Sequence, residues 1–289
     1  MARSDKPMRH FRTLFAVLVV TLLLAACTTT FMYRNLDWLI PWYVNGVVDI
    51  TRDQKAELKT YLEPFLRWHR EEELQRYADL LDRAQARVRE PVDAATVQGW
   101  FDDGVAAIER VEERMLELSI QFGESLSDEQ MREFREALWE QQEELEEEYL
   151  PREDGKWKED SLEYLTEFIE EFIGRLEPEQ QSRIQAAADD LVRFDQLWLE
   201  DRENWLKRID PLLERPEGWQ QAMRAAYAER ADMQSTEFQE TFDHNVQVFA
   251  EATADVLNSM TPKQRQRLND EIDKWQRKLQ KMMNSADDD

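Results

Sequence analysis

Carboxylates abound in this sequence, but the cysteines and histidines that most often act as nucleophile, base or metal ligand are scarce. The 289 residues include one cysteine and three histidines, and only His69 and His244 lie beyond the first 26 positions. His69 sits in Leu66-Arg67-Trp68-His69-Arg70, followed by Glu71, Glu72 and Glu73. A metal site there would need ligands converging from other segments, and no HExxH or His-rich spacing supplies them. Glu-x-x-Glu spacings are frequent, as at Glu143, Glu146 and Glu147, but the Glu-x-x-His partner of a di-iron carboxylate site is missing. Gly123-Glu124-Ser125-Leu126-Ser127 lacks the second glycine of a nucleophile elbow. The sequence therefore predicts no catalytic residue, no metal and no cofactor.

Cys27 is the exception. It follows Leu24-Ala25-Ala26, an apolar run from Leu14 to Ala26, and a start carrying Arg3, Lys6, Arg9 and Arg12 against Asp5. The run falls short of the roughly 20 residues needed to span a bilayer as a helix and suits a cleaved signal peptide. The small residues before the thiol resemble a bacterial lipobox. That resemblance implies removal of residues 1–26 and acylation of Cys27, with palmitate-type chains anchoring the protein. Thr28, standing where an Asp would retain a lipoprotein in the inner membrane, implies the outer membrane, facing the periplasm.

Composition bounds the rest. Without the first 26 residues and their net +3, the formal charge moves from −25 to −28. Such a surface repels polyanions, so no nucleic-acid partner is expected. Hydrophobic residues make up 42% of the chain, with 10 Trp and 13 Phe, too many for a disordered tail. Seven Gly and nine Pro are too few for a β-rich domain. One cysteine leaves no intramolecular disulfide.

The elements that must carry this core are helical. Val97, Phe101, Gly104, Ile108, Val111, Met115, Leu118 and Phe122 keep a heptad seam, as do Leu268, Ile272, Trp275, Leu279 and Met282. Leu162, Leu165, Ile169, Phe172, Ile173 and Leu176 make a wider stripe, and Met131, Phe134, Leu138 and Leu145 a thinner one. One phrase marks four helix starts: Ile50-Thr51-Arg52-Asp53-Gln54, Leu126-Ser127-Asp128-Glu129-Gln130, Leu176-Glu177-Pro178-Glu179-Gln180 and Met260-Thr261-Pro262-Lys263-Gln264. It reads as a capping box, in which the Thr or Ser oxygen accepts from the Gln amide and the Gln side chain reaches back. The intervals of 76, 50 and 84 residues are too uneven for a solenoid.

The resulting expectation is an all-α, elongated bundle of seven to eight helices in the mature region 27–289, with a subdivision near 151–156 as the alternative. Helices are expected over 33–48, 52–89 with a bend near Pro64, 94–123, 128–149, 157–175, 178–209, 217–258 and 262–283, and a frayed tail over 284–289. The segment from Phe31 to Tyr43 is the most aromatic stretch of the mature chain. Phe31, Trp38, Trp42 and Tyr43 either lie at the lipid headgroup level or pack into the bundle, and the direct run into the first capping box favours packing. The acidic stretch 124–148 and the basic stretch 263–281 could pair with one another.

The aromatic segment, with Asp49 to Gln54, Trp68 to Ala78 and Leu126 to Gln130, resembles a family of uncharacterised Gram-negative outer-membrane lipoproteins. That resemblance implies an address and no activity. The capping phrase is similar to the LTxxQ motif of small all-α periplasmic stress proteins, which include an ATP-independent chaperone, although only Thr51 and Thr261 keep the threonine. The helical steric foldases of secreted lipases are a more distant analogue. Together these point to a non-enzymatic, lipid-anchored periplasmic protein that binds other proteins, with holding of unfolded clients as the leading expectation. A structural or assembly subunit of an envelope complex is the alternative.

Overall fold

Thr51, Ser127 and Thr261 each hold extended backbone, and their hydroxyls accept from the amides of Gln54, Gln130 and Gln264 at 3.2 Å. Each glutamine returns a bond, its Oε1 accepting from the cap amide at 2.8–2.9 Å. Gln180 does the same for the Glu177 amide at 2.9 Å. The apolar residue before every cap, Ile50, Leu126, Leu176 and Met260, is buried, which fixes the angle at which the chain enters the helix.

The computed structural model describes residues 28–284; residues 1–26, expected to be a signal peptide, Cys27 and the last five residues lie outside the described residues. In chain order the helices are α1 (Thr28–Arg34), α2 (Leu36–Val47), α3 (Arg52–Trp68), α4 (Leu74–Arg87), α5 (Ala94–Ser125), α6 (Asp128–Tyr149), α7 (Asp154–Ile173), α8 (Pro178–Asp190), α9 (Asp195–Ile209), α10 (Trp219–Ala228), α11 (Thr236–Asn258) and α12 (Pro262–Met283). The fold is all-α, and no strand occurs among the described residues. Among the described residues twelve helical segments stand where seven or eight are expected, because four expected helices, 33–48, 52–89, 178–209 and 217–258, are each divided in two. Asn35 ends α1 by donating its side-chain amide to Phe31 O at 2.7 Å, in competition with the backbone ladder. Residues 191–194 part α8 from α9, and Ser235 starts α11 afresh by accepting from Phe238 N at 3.0 Å.

The helix expected over 52–89 is not broken at Pro64, and it passes into a π-helical turn at His69–Glu73, between α3 and α4. Such single turns admit one extra residue without ending the helix.

Two units share one layout. In the first, α3 packs on α2 and on α5, and α2 touches α6; in the second, α8 packs on α7 and on α11, and α7 touches α12. In both, the second and fourth helices begin with capping boxes. Leu58 and Leu62 lie in the core of the first unit and Ile184 and Val256 in that of the second, all almost fully buried. Each such aliphatic side chain contributes ~2 kcal/mol relative to exposure. Between the units, α4 packs on α12, α5 on α11 and α6 on α9. The acidic and basic stretches, on α6 and α12, thus have different principal neighbours. Along α5 the heptad seam is interrupted: Val97, Leu118 and Phe122 are buried, but Ile108 is 44% exposed. The helix changes partners along its length, from α11 in the second unit to α3 in the first.

Candidate functional site

The four motif glutamines meet in pairs. Gln54 and Gln130, 76 residues apart, exchange two Nε2–H···Oε1 bonds of 2.8 Å. Gln54 Nε2 also donates to Ser125 O, and Gln130 Nε2 to Asp49 O, both at 2.8 Å. Gln180 and Gln264, 84 residues apart, repeat the pattern with mutual bonds of 3.2 and 2.8 Å and donations to Ser259 O and Arg175 O at 3.3 and 3.0 Å. In all four cases the carbonyl reached lies two residues before the partner's cap. Each amide oxygen accepts at least twice and each amide nitrogen donates to two residues, so the side chains are satisfied without water. The second clasp is the drier: Gln180 and Gln264 are 1% and 4% exposed. Sequence reading found the boxes but not their pairing, because a capping box accounts for every motif residue locally.

Among the lipidation and aromatic candidates, Cys27 falls outside the described residues. Trp38 and Trp42 lie on α2, stacked with centroids 6.4 Å apart and 56% and 65% exposed. Tyr43 is partly buried, and burial raises its phenol above the ordinary value. The opposite side of α1 and α2 enters the core through Tyr33, Leu36, Ile40 and Val44. Packing and display are thus divided between two faces of one segment.

The π-turn gathers a buried polar cluster. His69 is ringed by Tyr33, Phe65, Trp68 and Tyr77, with Nδ1 3.0 Å from the Tyr33 hydroxyl. Burial lowers its pKa to about 4, against the pull of Glu73, so the ring is neutral at neutral pH. Glu73 is fully buried. Burial alone would raise its pKa, but Arg110, bidentate at 2.9 Å, and Arg76 hold it below the usual carboxylate value. Burial likewise pushes Tyr77 up to about 12. The adjoining cavity of about 190 Å³ is lined by Arg76, Tyr77, Asp79, Arg83, Asp103 and Arg110. These guanidiniums are already engaged, by Glu73 and by an Arg83–Asp103 pair, so the cluster joins α1, α4 and α5. His244, the other histidine, contacts Asp190 O at 3.0 Å through Nε2 at the end of α8. Among the described residues no group of three or more His, Cys, Asp or Glu converges as a metal site would require.

A wider groove of about 560 Å³ runs along α6, lined by Arg132, Arg135, Glu136, Trp139, Glu140, Glu143 and Asp210. Its floor is ordered by Asp210, which accepts from Arg135 at 2.7 and 3.0 Å and from Trp139 Nε1 at 3.1 Å. These bonds, with Arg135 the principal partner, hold the Asp210 carboxyl below its usual pKa. Behind the groove, buried Arg202 donates to Gln141 and Gln142, and desolvation lowers its pKa to about 10. Arg202 and Gln142 leave no period in the sequence, since a buried polar pair needs both helices in place to be recognised.

Fold and site together define an all-α bundle whose two four-helix units are each closed by a glutamine pair. The chain belongs to a family of unknown function (DUF6279), whose model matches residues 46–238. That match spans the first three capping boxes and leaves α1, most of α2 and the fourth box outside. No curated protein and no solved structure matches the chain.

Proposed function

We propose that the protein is a lipid-anchored, non-enzymatic body on the periplasmic face of the outer membrane that docks a folded protein partner along α6. The carrying observation is the Trp139 groove. It offers a half-buried tryptophan and an arginine, the residue types that dominate protein-interface energetics, pre-ordered by Asp210 and rimmed by Glu136, Glu140 and Glu143. A partner presenting a basic ridge with one apolar anchor complements that lining. The lipobox supports the tether, and the signal segment supports the compartment. The body carries no helix, among the described residues, that is long and apolar enough to cross a membrane.

The assembly reading is favoured over client holding by the distribution of apolar surface. Beyond the N-terminal helices, the exposed large apolar side chains are Ile108, Leu150, Tyr164, Val192 and Met233, each on a different segment. A holding surface works best as a contiguous patch of several hundred Å². In-cell photo-crosslinking from position 140 separates the two. One dominant protein adduct that Trp139→Ala abolishes supports docking; a smear of many clients, with suppressed aggregation of an unfolded model protein, supports holding. Neither adduct nor suppression removes both.

A further inference from the structure

We propose that Phe31, Trp38 and Trp42 form an interfacial foot that rests in the headgroup layer of the phospholipid leaflet holding the anchor, so that α1 and α2 lie along the membrane plane. The inference rests on the lipid-anchor reading and deepens it from an attachment point to an orientation.

Three observations carry it. The foot is exposed where the rest of its segment is packed: Phe31 is 67%, Trp38 56% and Trp42 65% exposed, while Tyr33, Leu36 and Pro41 are buried. The outward residues Phe31, Arg34, Trp38, Trp42 and Gly46 recur at helical intervals of three and four, forming one stripe despite the break at Asn35. Second, Trp38 and Trp42 stack on each other, leaving an aromatic face without an intramolecular cover of matching size. Third, the chain leaves no tether. Helix α1 begins at Thr28, directly after Cys27. At ~1.5 Å of rise per residue, Phe31, Trp38 and Trp42 lie roughly 6, 17 and 22 Å along the helices from the acylated position.

An acyl-cysteine fixes one end of this stripe at the bilayer surface. If the helices stood upright, Trp42 would project into water; lying flat, all three rings reach the same depth. Amphipathic indole rings favour that depth, where the apolar body is covered and the N–H stays hydrated. The strong negative charge of the body selects a zwitterionic surface over an anionic one. In such a pose the foot holds the bundle at a fixed attitude, which an acyl tether alone does not do.

The test uses the full lipidated protein reconstituted into phosphatidylcholine vesicles, with and without bromine on the acyl chains near the headgroup. Flotation reports anchoring, and quenching of tryptophan emission reports the foot. The expected result is flotation of wild type and of Trp38→Phe/Trp42→Phe alike, with the bromolipid-specific quenching of wild type lost in the double variant. Far-UV circular dichroism confirms that the exposed substitutions leave the helices intact. Flotation with equal quenching in both proteins overturns the foot while leaving the anchor standing. No flotation removes the anchor and the foot with it. A photoreactive residue at position 42 discriminates the occupant in cells: phospholipid adducts support the foot, and a dominant protein adduct overturns it in favour of a protein interface.

Discussion

Replacing Gln264 by leucine keeps approximate volume and removes only the polar end that closes the second unit. The side chain accepts from Thr261 N at 2.9 Å, donates to Arg175 O at 3.0 Å and shares two bonds with Gln180. Its loss strands one donor and one acceptor on Gln180, which is 1% exposed and unable to recruit water easily. Thr261 and Arg175 are less buried and can recover part of their loss from solvent. An unsatisfied buried polar group costs ~1–3 kcal/mol, so Gln264→Leu destabilises by about 3 kcal/mol. The partner change Gln180→Leu costs a similar amount. The double variant no longer strands either amide, so it is less destabilised than the sum of the two by about 1–2 kcal/mol. Urea unfolding followed by circular dichroism reads all four corners of this cycle. Additive losses, within about 0.5 kcal/mol, would refute the clasp as a coupled element.

Other consequences are separately measurable. The neutral His69 ring makes stability depend on acid: its pKa is depressed to about 4, so between its unfolded value of 6.5 and 4 the unfolded chain binds the extra proton. Stability therefore falls on acidification through that window, by up to about 3 kcal/mol, and His69→Phe flattens the profile seen in thermal melts across pH. Glu73→Ala removes the buried carboxylate that ties Arg110 and Arg76 together, but both guanidiniums are more than a third exposed and regain water, so stability falls by ~1–2 kcal/mol in denaturant titrations, whereas Glu72→Ala, at an exposed pair, changes it by less than about 1 kcal/mol. Gly174 ends α7 at φ +79°, and an added Cβ would lie 3.1 Å from Arg267 Cδ, so Gly174→Ala lowers stability by about 1 kcal/mol or more.

How far the sequence disclosed this molecule depended on whether a feature is periodic or relational. The α12 seam of Leu268, Ile272, Trp275, Leu279 and Met282 is buried throughout, since one face of one helix decides it. The same reasoning over-read α5, where Ile108 keeps the heptad but loses its neighbour. Capping hydroxyls announced α3, α6 and α12; the equally good cap at Ser235 was hidden inside a continuous polar and apolar pattern, so α10 and α11 read as one helix. Nothing local announces the π-helical turn, where His69 and Glu73 meet Tyr33 and Arg110 from 36 and 37 residues away. The glutamine pairs were invisible for the same reason: their partners are set by the fold.

The proposed anchor requires the Cys27 thiol to become the membrane-held terminus of the chain. Metabolic labelling with radioactive palmitate, followed by mass spectrometry of the purified protein, reads this directly. The predicted outcome is a labelled protein that begins at an acylated Cys27 and loses all label in Cys27→Ser. An unlabelled protein still carrying Met1 to Ala26 would contradict it.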